Sequence, residues 1–267
     1  MIRSTRVLVR GGGEMASAAA RLLFCCGFPV LVLEKKAPLA VRRLVSFAEA
    51  VRKGSIVVEG VEGRRVEPED VPAALDAGGF VPVVVDPEAA CRVSLAPQVL
   101  VDARMSKRSL DTSRDQAPLV IGLGPGFVAG EDVHAVVETQ RGPALGRVLW
   151  SGPAEADSSV PAPVLGFTEE RVLRAPRSGV FRATRGIGEL VAARGSVGEV
   201  EGAPVTAAIG GLLRGLLADG VRVEEGVKVG DVDPRGRAVT AAQVSDKGRA
   251  VAAGVLEAVL VALKGRL

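Results

Sequence analysis

Val7-Leu8-Val9-Arg10-Gly11-Gly12-Gly13-Glu14-Met15-Ala16 runs from a short apolar segment through three glycines into a helical pattern that continues to about Cys26 and stops at Gly27. Pro29-Val30-Leu31-Val32-Leu33 follows as a second apolar segment and ends at Glu34. The order is strand, glycine turn, helix, strand, acid. Gly11, Gly13 and Ala16 fit the spacing G-x-G-x-x-A, in which glycines permit a tight turn and a close approach of a diphosphate. The helix start adds unpaired amides and a partial positive charge. Glu34 stands where a carboxylate is expected to meet a ribose hydroxyl. Lys35 and Lys36 beside it are either partners for a 2′-phosphate or two solvated lysines. Glu14 inside the turn repels phosphate unless its side chain points away. A turn of this kind serves either a nucleotide-like ligand or the fold alone.

Working outward, Pro38–Lys53 has a helical pattern, and Ser55–Glu59 and Gly63–Val66 read as short strands. Glu67-Pro68-Glu69-Asp70 opens a helix to about Ala77, with acids in the first turn as the dipole prefers. Val81–Val85, Val99–Val101 and Leu119–Leu123 are further buried-type strands. This alternation predicts an α/β fold with a Rossmann-like parallel sheet over residues 1–150. Ligands of such sheets bind beyond the strand C-termini. Asp86, Asp102, Arg104 and Lys107 are expected there, with Asp102, Arg104 and Lys107 as the catalytic candidates. The alternative is that Ser106–Gln116 is a flexible charged loop. Gly11, Gly12, Gly13, Met15, Ala16, Glu34, Gly124 and Gly126 form the expected cofactor-binding set, and no metal site is expected. The single histidine, His134, is either a site residue or only a strand or loop residue.

Ser151–Pro163, rich in Pro, Ala, Ser and Gly, reads as a linker. Beyond it the sequence repeats at an offset of 32: Gly179, Gly188, Val191, Gly198 and Val200 recur as Gly211, Gly220, Val223, Gly230 and Val232. The repeat spans 175–200 and 207–232 and resembles a biotinyl/lipoyl-like barrel-sandwich hybrid. A mainly β domain over 164–267, including a terminal helix of about Lys247–Leu263, is therefore expected. Leu-rich Gly210–Asp219 has a helical composition, but it aligns with Ser178–Ile187 and is read as a strand. The hairpin near Glu201–Thr206 has no lysine, so no biotin or lipoyl attachment is expected. Asp231 and Asp233 share a strand face and could hold a divalent cation, although Asp-x-Asp-Pro is more often a turn.

The chain has 267 residues, 48% of them hydrophobic and 24% charged, which excludes an intrinsically disordered chain. Aromatics are 3% with no tyrosine, so base stacking is disfavoured, and a net charge of +3 from interspersed residues argues against nucleic acid as a partner. One histidine excludes sites that need two. Three cysteines, Cys25, Cys26 and Cys91, give no disulfide framework. The longest apolar run, Leu22–Leu33, is too short to span a bilayer. A cytoplasmic location without membrane partners is expected, with a homo-oligomer possible.

Several segments together resemble the accessory-protein family of selenium-dependent molybdenum hydroxylases (the YqeB type). Its Rossmann part is related to xanthine dehydrogenase accessory factors. The resemblance rests on Gly11–Ala16, Val41-Arg42-Arg43 with Ser46–Val51, Val58–Val61 and Val101–Lys107. It continues through Gly122–Phe127, Val137-Glu138-Thr139, Lys228–Arg235, Ser245-Asp246-Lys247 and Gly254–Ala258. It implies a maturation factor for a molybdenum hydroxylase partner that handles a pterin cofactor. The family's Arg-Gly-His stands here as Arg141-Gly142-Pro143. NAD(P) or a molybdopterin-type cofactor is expected on the turn, offset by Arg104, Lys107 and Arg141. The competing readings are an NAD(P)-dependent oxidoreductase and a non-enzymatic scaffold.

Overall fold

The computed structural model describes residues 2–106, 111–158 and 160–265. The chain divides into two compact units. The first comprises residues 1–38, 46–157 and 244–267, and the second 39–45 and 158–243.

In the first unit the strands are β1 (Val7–Arg10), β2 (Val30–Glu34), β3 (Ser55–Val58), β4 (Val61–Arg65), β5 (Val81–Val85), β6 (Val99–Asp102), β7 (Leu119–Leu123), β8 (Val128–Ala129), β9 (Ala135–Val137), β10 (Val148–Leu149) and β11 (Gly152–Pro153). The helices are α1 (Glu14–Cys25), α2 (Ala50–Lys53), α3 (Val71–Ala77), α4 (Arg92–Leu95) and α5 (Asp246–Lys264). One sheet has the order β10-β9-β7-β6-β1-β2-β5-β4-β3. Its inner pairs are parallel, and antiparallel pairs close both edges. The expected Rossmann-like sheet is present.

The central strands are apolar up to the charged residue that ends β1, β2 and β6, because parallel strands are buried on both faces. On one face Leu8, Leu31, Leu33, Leu100 and Val120 pack with Val71, Leu95 and Phe127. Helices α1 and α5 pack against one another through small residues, including Ala18 opposite Gly248. Helix α5 is also close to the segment before β10, where a methyl on Gly254 would stand 2.1 Å from the Gly146 carbonyl oxygen. Here the expected division, 1–150 and 164–267, is corrected. The terminal helix belongs to the sheet unit, because its Val251, Val255, Ala258 and Val259 face is buried there.

The helix expected over Pro38–Lys53 is also corrected. The segment forms 3-10 turns at Arg43–Val45 and Phe47–Glu49 and only the short α2. Two pulls break it. Val41 gives its carbonyl to the Leu216 amide inside the second unit, and the Ala48 amide donates to the Gly12 carbonyl inside the first. Ser46 is extended between them, with φ −132°.

The second unit contains β12 (Val172–Arg174), β13 (Gly179–Ala183), β14 (Leu190–Val191), β15 (Ser196–Val200), β16 (Ala203–Thr206), β17 (Gly211–Leu216), β18 (Arg222–Val223) and β19 (Lys228–Asp233). Its sheets run β12-β19-β17-β14 and β16-β15-β13-β18. Moving each strand by the 32-residue offset converts one sheet order into the other. The repeat is therefore two-fold in the fold, and Gly210–Asp219 contains a strand despite its leucines. Phe181, Val197, Leu213, Leu216, Val229 and Val232 share the core between the halves. Glu201 and Gly202, both at positive φ, make the turn into β16, so most of the expected 201–206 hairpin is strand. Asp231 and Asp233 lie within β19 rather than in a turn.

Candidate functional site

Strand β1 is flanked in parallel by β2 on one side and β6 on the other, so the strand order reverses beside it. The crevice of such a sheet opens at that point. The glycine turn leaves β1 there. Gly11, at φ +96°, lies against the Ala103–Arg104 backbone, where an added methyl would stand 3.1 Å from the Ala103 oxygen. Gly12 is tighter still: its methyl would stand 2.8 Å from the Ala48 nitrogen. The Gly12 amide donates to Glu34 Oε2 at 2.9 Å, and Lys35 N donates to Glu34 Oε1 at 2.7 Å. Glu34, expected at a ribose, thus binds the turn itself. Gly13 is different. It is the extended residue before α1, and its added methyl meets nothing within 4 Å. The turn is packed at Gly11 and Gly12 and open at Gly13.

Asp102 ends β6 as the register partner of Arg10 at the end of β1. Both are buried. Arg104 Nη2 donates to Asp102 Oδ2 at 2.6 Å, and the Thr112 hydroxyl donates to the same oxygen at 2.6 Å. Arg10 donates to Thr112 Oγ1 at 2.9 Å, to the Pro87 oxygen at 3.0 Å and to Asp111 Oδ2 at 2.8 Å. Arg104 also pairs with Asp111 at 2.6 Å. The hydrogen bond from Arg10, with Arg104 beside it, holds the Asp111 carboxyl well below the usual carboxylate range. Arg104 was expected to offset ligand charge, but two carboxylates already neutralise it. Thr112 and Asp111 belong to the stretch expected as a flexible loop. Lys107 lies outside the described residues.

The open side of the turn faces the start of α5. Glu14 Oε1 accepts the Ser245 amide at 3.0 Å, so the carboxylate inside the turn is directed to the second helix. Ser245 caps α5 by accepting from Gly248 N at 3.1 Å, and Met15 Cε lies 3.5 Å from the position of a methyl on Gly248. Two helix N-termini thus stand side by side. Arg141 forks onto Asp246, one bond being 2.7 Å, and this pairing drives the Asp246 carboxyl far below its ordinary value. Lys247 is half-buried; burial, then Arg141, lowers its pKa, while Glu14, Asp157 and Glu138 oppose the shift. In the sequence, Ser245-Asp246-Lys247 has a place in the family resemblance but no role in the site. Nothing in its spacing places it beside Gly13.

The remaining expected residues are held by local packing and backbone geometry. Met15 and Ala16 lie in the first turn of α1, Ala16 fully buried. Gly124, at φ +72°, leaves no room for a methyl beside Thr139 Oγ1, and its amide donates to the Val137 oxygen. Gly126 holds φ +109° in the turn before Phe127. Buried Glu138 accepts the amides of Thr139, Gln140 and Glu155 at 2.6, 2.6 and 2.7 Å. His134 stands in the bend just before β9, where its Nδ1 accepts the Val120 amide at 3.0 Å. Asp86 accepts the amides of Ala90 and Cys91 at 3.0 and 2.9 Å, and burial with Asp86 beside it pushes the Cys91 thiol up to about 12.

No protein-family model matches the chain. It is 43% identical over 255 residues to the uncharacterized protein YqeB of Escherichia coli K12. The YqeB family is supported. The match covers 96% of this chain but 47% of YqeB, so the chain spans about half the length of that relative. Among solved structures, E. coli tRNA N6-threonylcarbamoyladenosine dehydratase in complex with ATP is 12% identical, with 98% of this chain and 89% of that one covered and a TM-score of 0.31. A succinylglutamate desuccinylase/aspartoacylase from Rhodobacter sphaeroides is 24% identical over 32% of this chain and 30% of that one, with a TM-score of 0.22. At such scores neither bears on function. Among the described residues no helix is long and apolar enough to cross a membrane.

Proposed function

We propose that this chain is an accessory protein in the maturation of a molybdenum hydroxylase. It would bind a diphosphate-bearing ligand, a dinucleotide or a pyrophosphate-bearing pterin, on the open side of its first turn. The observation that carries this reading is the meeting of two helix N-termini beside Gly13 and Lys247. First-turn amides have no intrahelical partner, and both dipoles favour an anion. Glu14, the carboxylate that opposes one, is drawn toward the start of α5 by the Ser245 amide, while the Gly12 amide is held by Glu34. The closed half of the turn shapes the ligand's position. With the Gly12 amide held by Glu34, a diphosphate lies toward Gly13, Glu14 and Met15 rather than across Gly11. A dinucleotide would also lack its usual ribose acid, which favours recognition of the diphosphate itself. The molybdenum hydroxylase partner, the selenium context and a cytoplasmic setting come from the family resemblance.

Gly13→Asp tests the site. The substitution fits sterically, and aspartate is a good residue at a helix N-cap, so the fold should gain a few tenths of a kcal/mol. Binding of pyrophosphate, NAD or molybdopterin should fall at least about tenfold, because a carboxylate now occupies the anion's place. Equal binding by the variant rejects the site. If neither protein binds these ligands while the chain still captures a molybdenum hydroxylase, the scaffold reading takes its place.

A further inference from the structure

The second unit carries a charge cluster that the first turn does not use. Asp231 and Asp233 lie two apart on β19, and both are buried, 2% and 0% exposed. Arg214 donates to Asp231 Oδ2 from Nε and Nη2 at 2.8 and 2.5 Å. Arg235 donates to both oxygens of Asp233 at 2.9 and 2.7 Å. Each carboxylate is therefore matched by one forked guanidinium.

Two further cations remain. Arg171 is 5% exposed; its Nη1 donates to the Ala162 oxygen at 2.9 Å and its Nη2 lies 3.4 Å from Asp231 Oδ1. Its Nε is buried without a hydrogen-bond partner among the described residues. Lys228 Nζ lies 3.6 Å from the same Asp231 oxygen, too far for a good hydrogen bond. Four cations thus face two carboxylates. A surplus buried cation with an unmade donor is costly unless an anion completes it.

We propose that this cluster is a binding site for a compact dianion of the phosphate or phosphomonoester class. Arg171 and Lys228 hold it, and Arg214 and Arg235 add positive field. The charge matches: two positive charges remain after the carboxylates are paired. Access comes through Lys228 and Arg235, whose side chains are 43% and 42% exposed, while the Arg171 side chain is buried. Burial lowers the pKa of Lys228 despite Asp231, and Arg214 and Arg171 add to the fall. The charged lysine is therefore worse placed here than in water. The inference is independent of the glycine turn.

The test titrates inorganic phosphate into the full chain carrying Gly13→Asp, which silences the first unit, with and without Lys228→Met. The parent should bind phosphate and melt higher in it than in chloride of equal ionic strength. Lys228→Met should weaken phosphate binding about tenfold. In phosphate-free buffer it should melt at or above the parent temperature, because a repelled cation is gone. A phosphate response no larger than that of chloride overturns the proposal. So does equal phosphate affinity in the two proteins, or a lower melting temperature for Lys228→Met without phosphate, which would make Lys228 a structural partner of Asp231.

Discussion

Glu34 Oε2 accepts the Gly12 amide at 2.9 Å, so the acid at the end of β2 closes the glycine turn that leaves β1. The bond joins two neighbouring strand ends and uses an amide that a diphosphate would otherwise take. A charged acceptor on a backbone amide is worth about 1.5–3 kcal/mol, less when partly exposed. Glu34→Ala should therefore lower stability by about 1–2 kcal/mol in urea titration. It should leave pyrophosphate affinity unchanged or raised, because the Gly12 amide is freed. Unchanged stability together with lost NAD binding would restore the ribose role and remove the structural one.

The neighbouring glycines should respond oppositely to one methyl group. At Gly12 the methyl stands 2.8 Å from the Ala48 nitrogen, and the Ala48 amide donates to the Gly12 carbonyl, so backbone must move. Gly12→Ala should cost about 2–3 kcal/mol. At Gly13 the space is open, and Gly13→Ala should stay within about 0.5 kcal/mol. Paired melting curves decide it. Equal costs would mean that Gly12 is not clamped between strand and Ala48.

Where the sequence was legible, local chemistry agreed with tertiary need. Strands such as Val30–Glu34 are apolar up to their last residue because both their faces are covered, and the glycine turn marks the strand-to-helix change. The repeat was legible because backbone geometry constrains it: Gly188 and Gly220 both hold positive φ. The charged networks were not. Arg10 meets Asp111 across 101 positions, and Glu14 meets Ser245 across 231, distances over which spacing carries no signal. Residues 39–45 misled for a related reason. Their helical periodicity is real, but their carbonyls and side chains are claimed by the second unit, where Arg43 donates to the Leu216 oxygen at 2.8 Å.

Asp111 makes the stability of the sheet unit pH-dependent. Its folded pKa is depressed by Arg10, then Arg104, so its contribution is full above the ordinary aspartate value of about 4. It is lost as pH falls through the lower folded value. The side chain is half exposed, which limits the contribution to about 1 kcal/mol. The stability difference between the parent and Asp111→Asn should be constant from neutral pH down to about 5 and shrink below about 4. A difference that persists undiminished in strong acid would show that hydrogen-bond geometry, not charge, carries the effect.

The two halves of the β unit share a backbone plan but not its surroundings, and their matching glycines should reveal this. Gly179 and Gly211 lie 32 residues apart at φ +152° and +157°. A methyl at Gly211 would stand 2.2 Å from the Asp233 carbonyl oxygen, in the backbone of the paired strand β19. At Gly179 it would stand 2.3 Å from Glu201 Cγ, a side-chain atom that can rotate away at the loss of the 3.0 Å bond from the Val180 amide to Glu201 Oε1. Both variants carry backbone strain, but only Gly211→Ala must also displace a strand. It should cost about 3 kcal/mol or more, and Gly179→Ala about 1–2. Adding Glu201→Ala should ease the Gly179 variant and leave the Gly211 variant unchanged. Equal costs in urea titration, or relief of both variants by Glu201→Ala, would show that φ alone sets the penalty and that the paired strand yields as readily as a side chain.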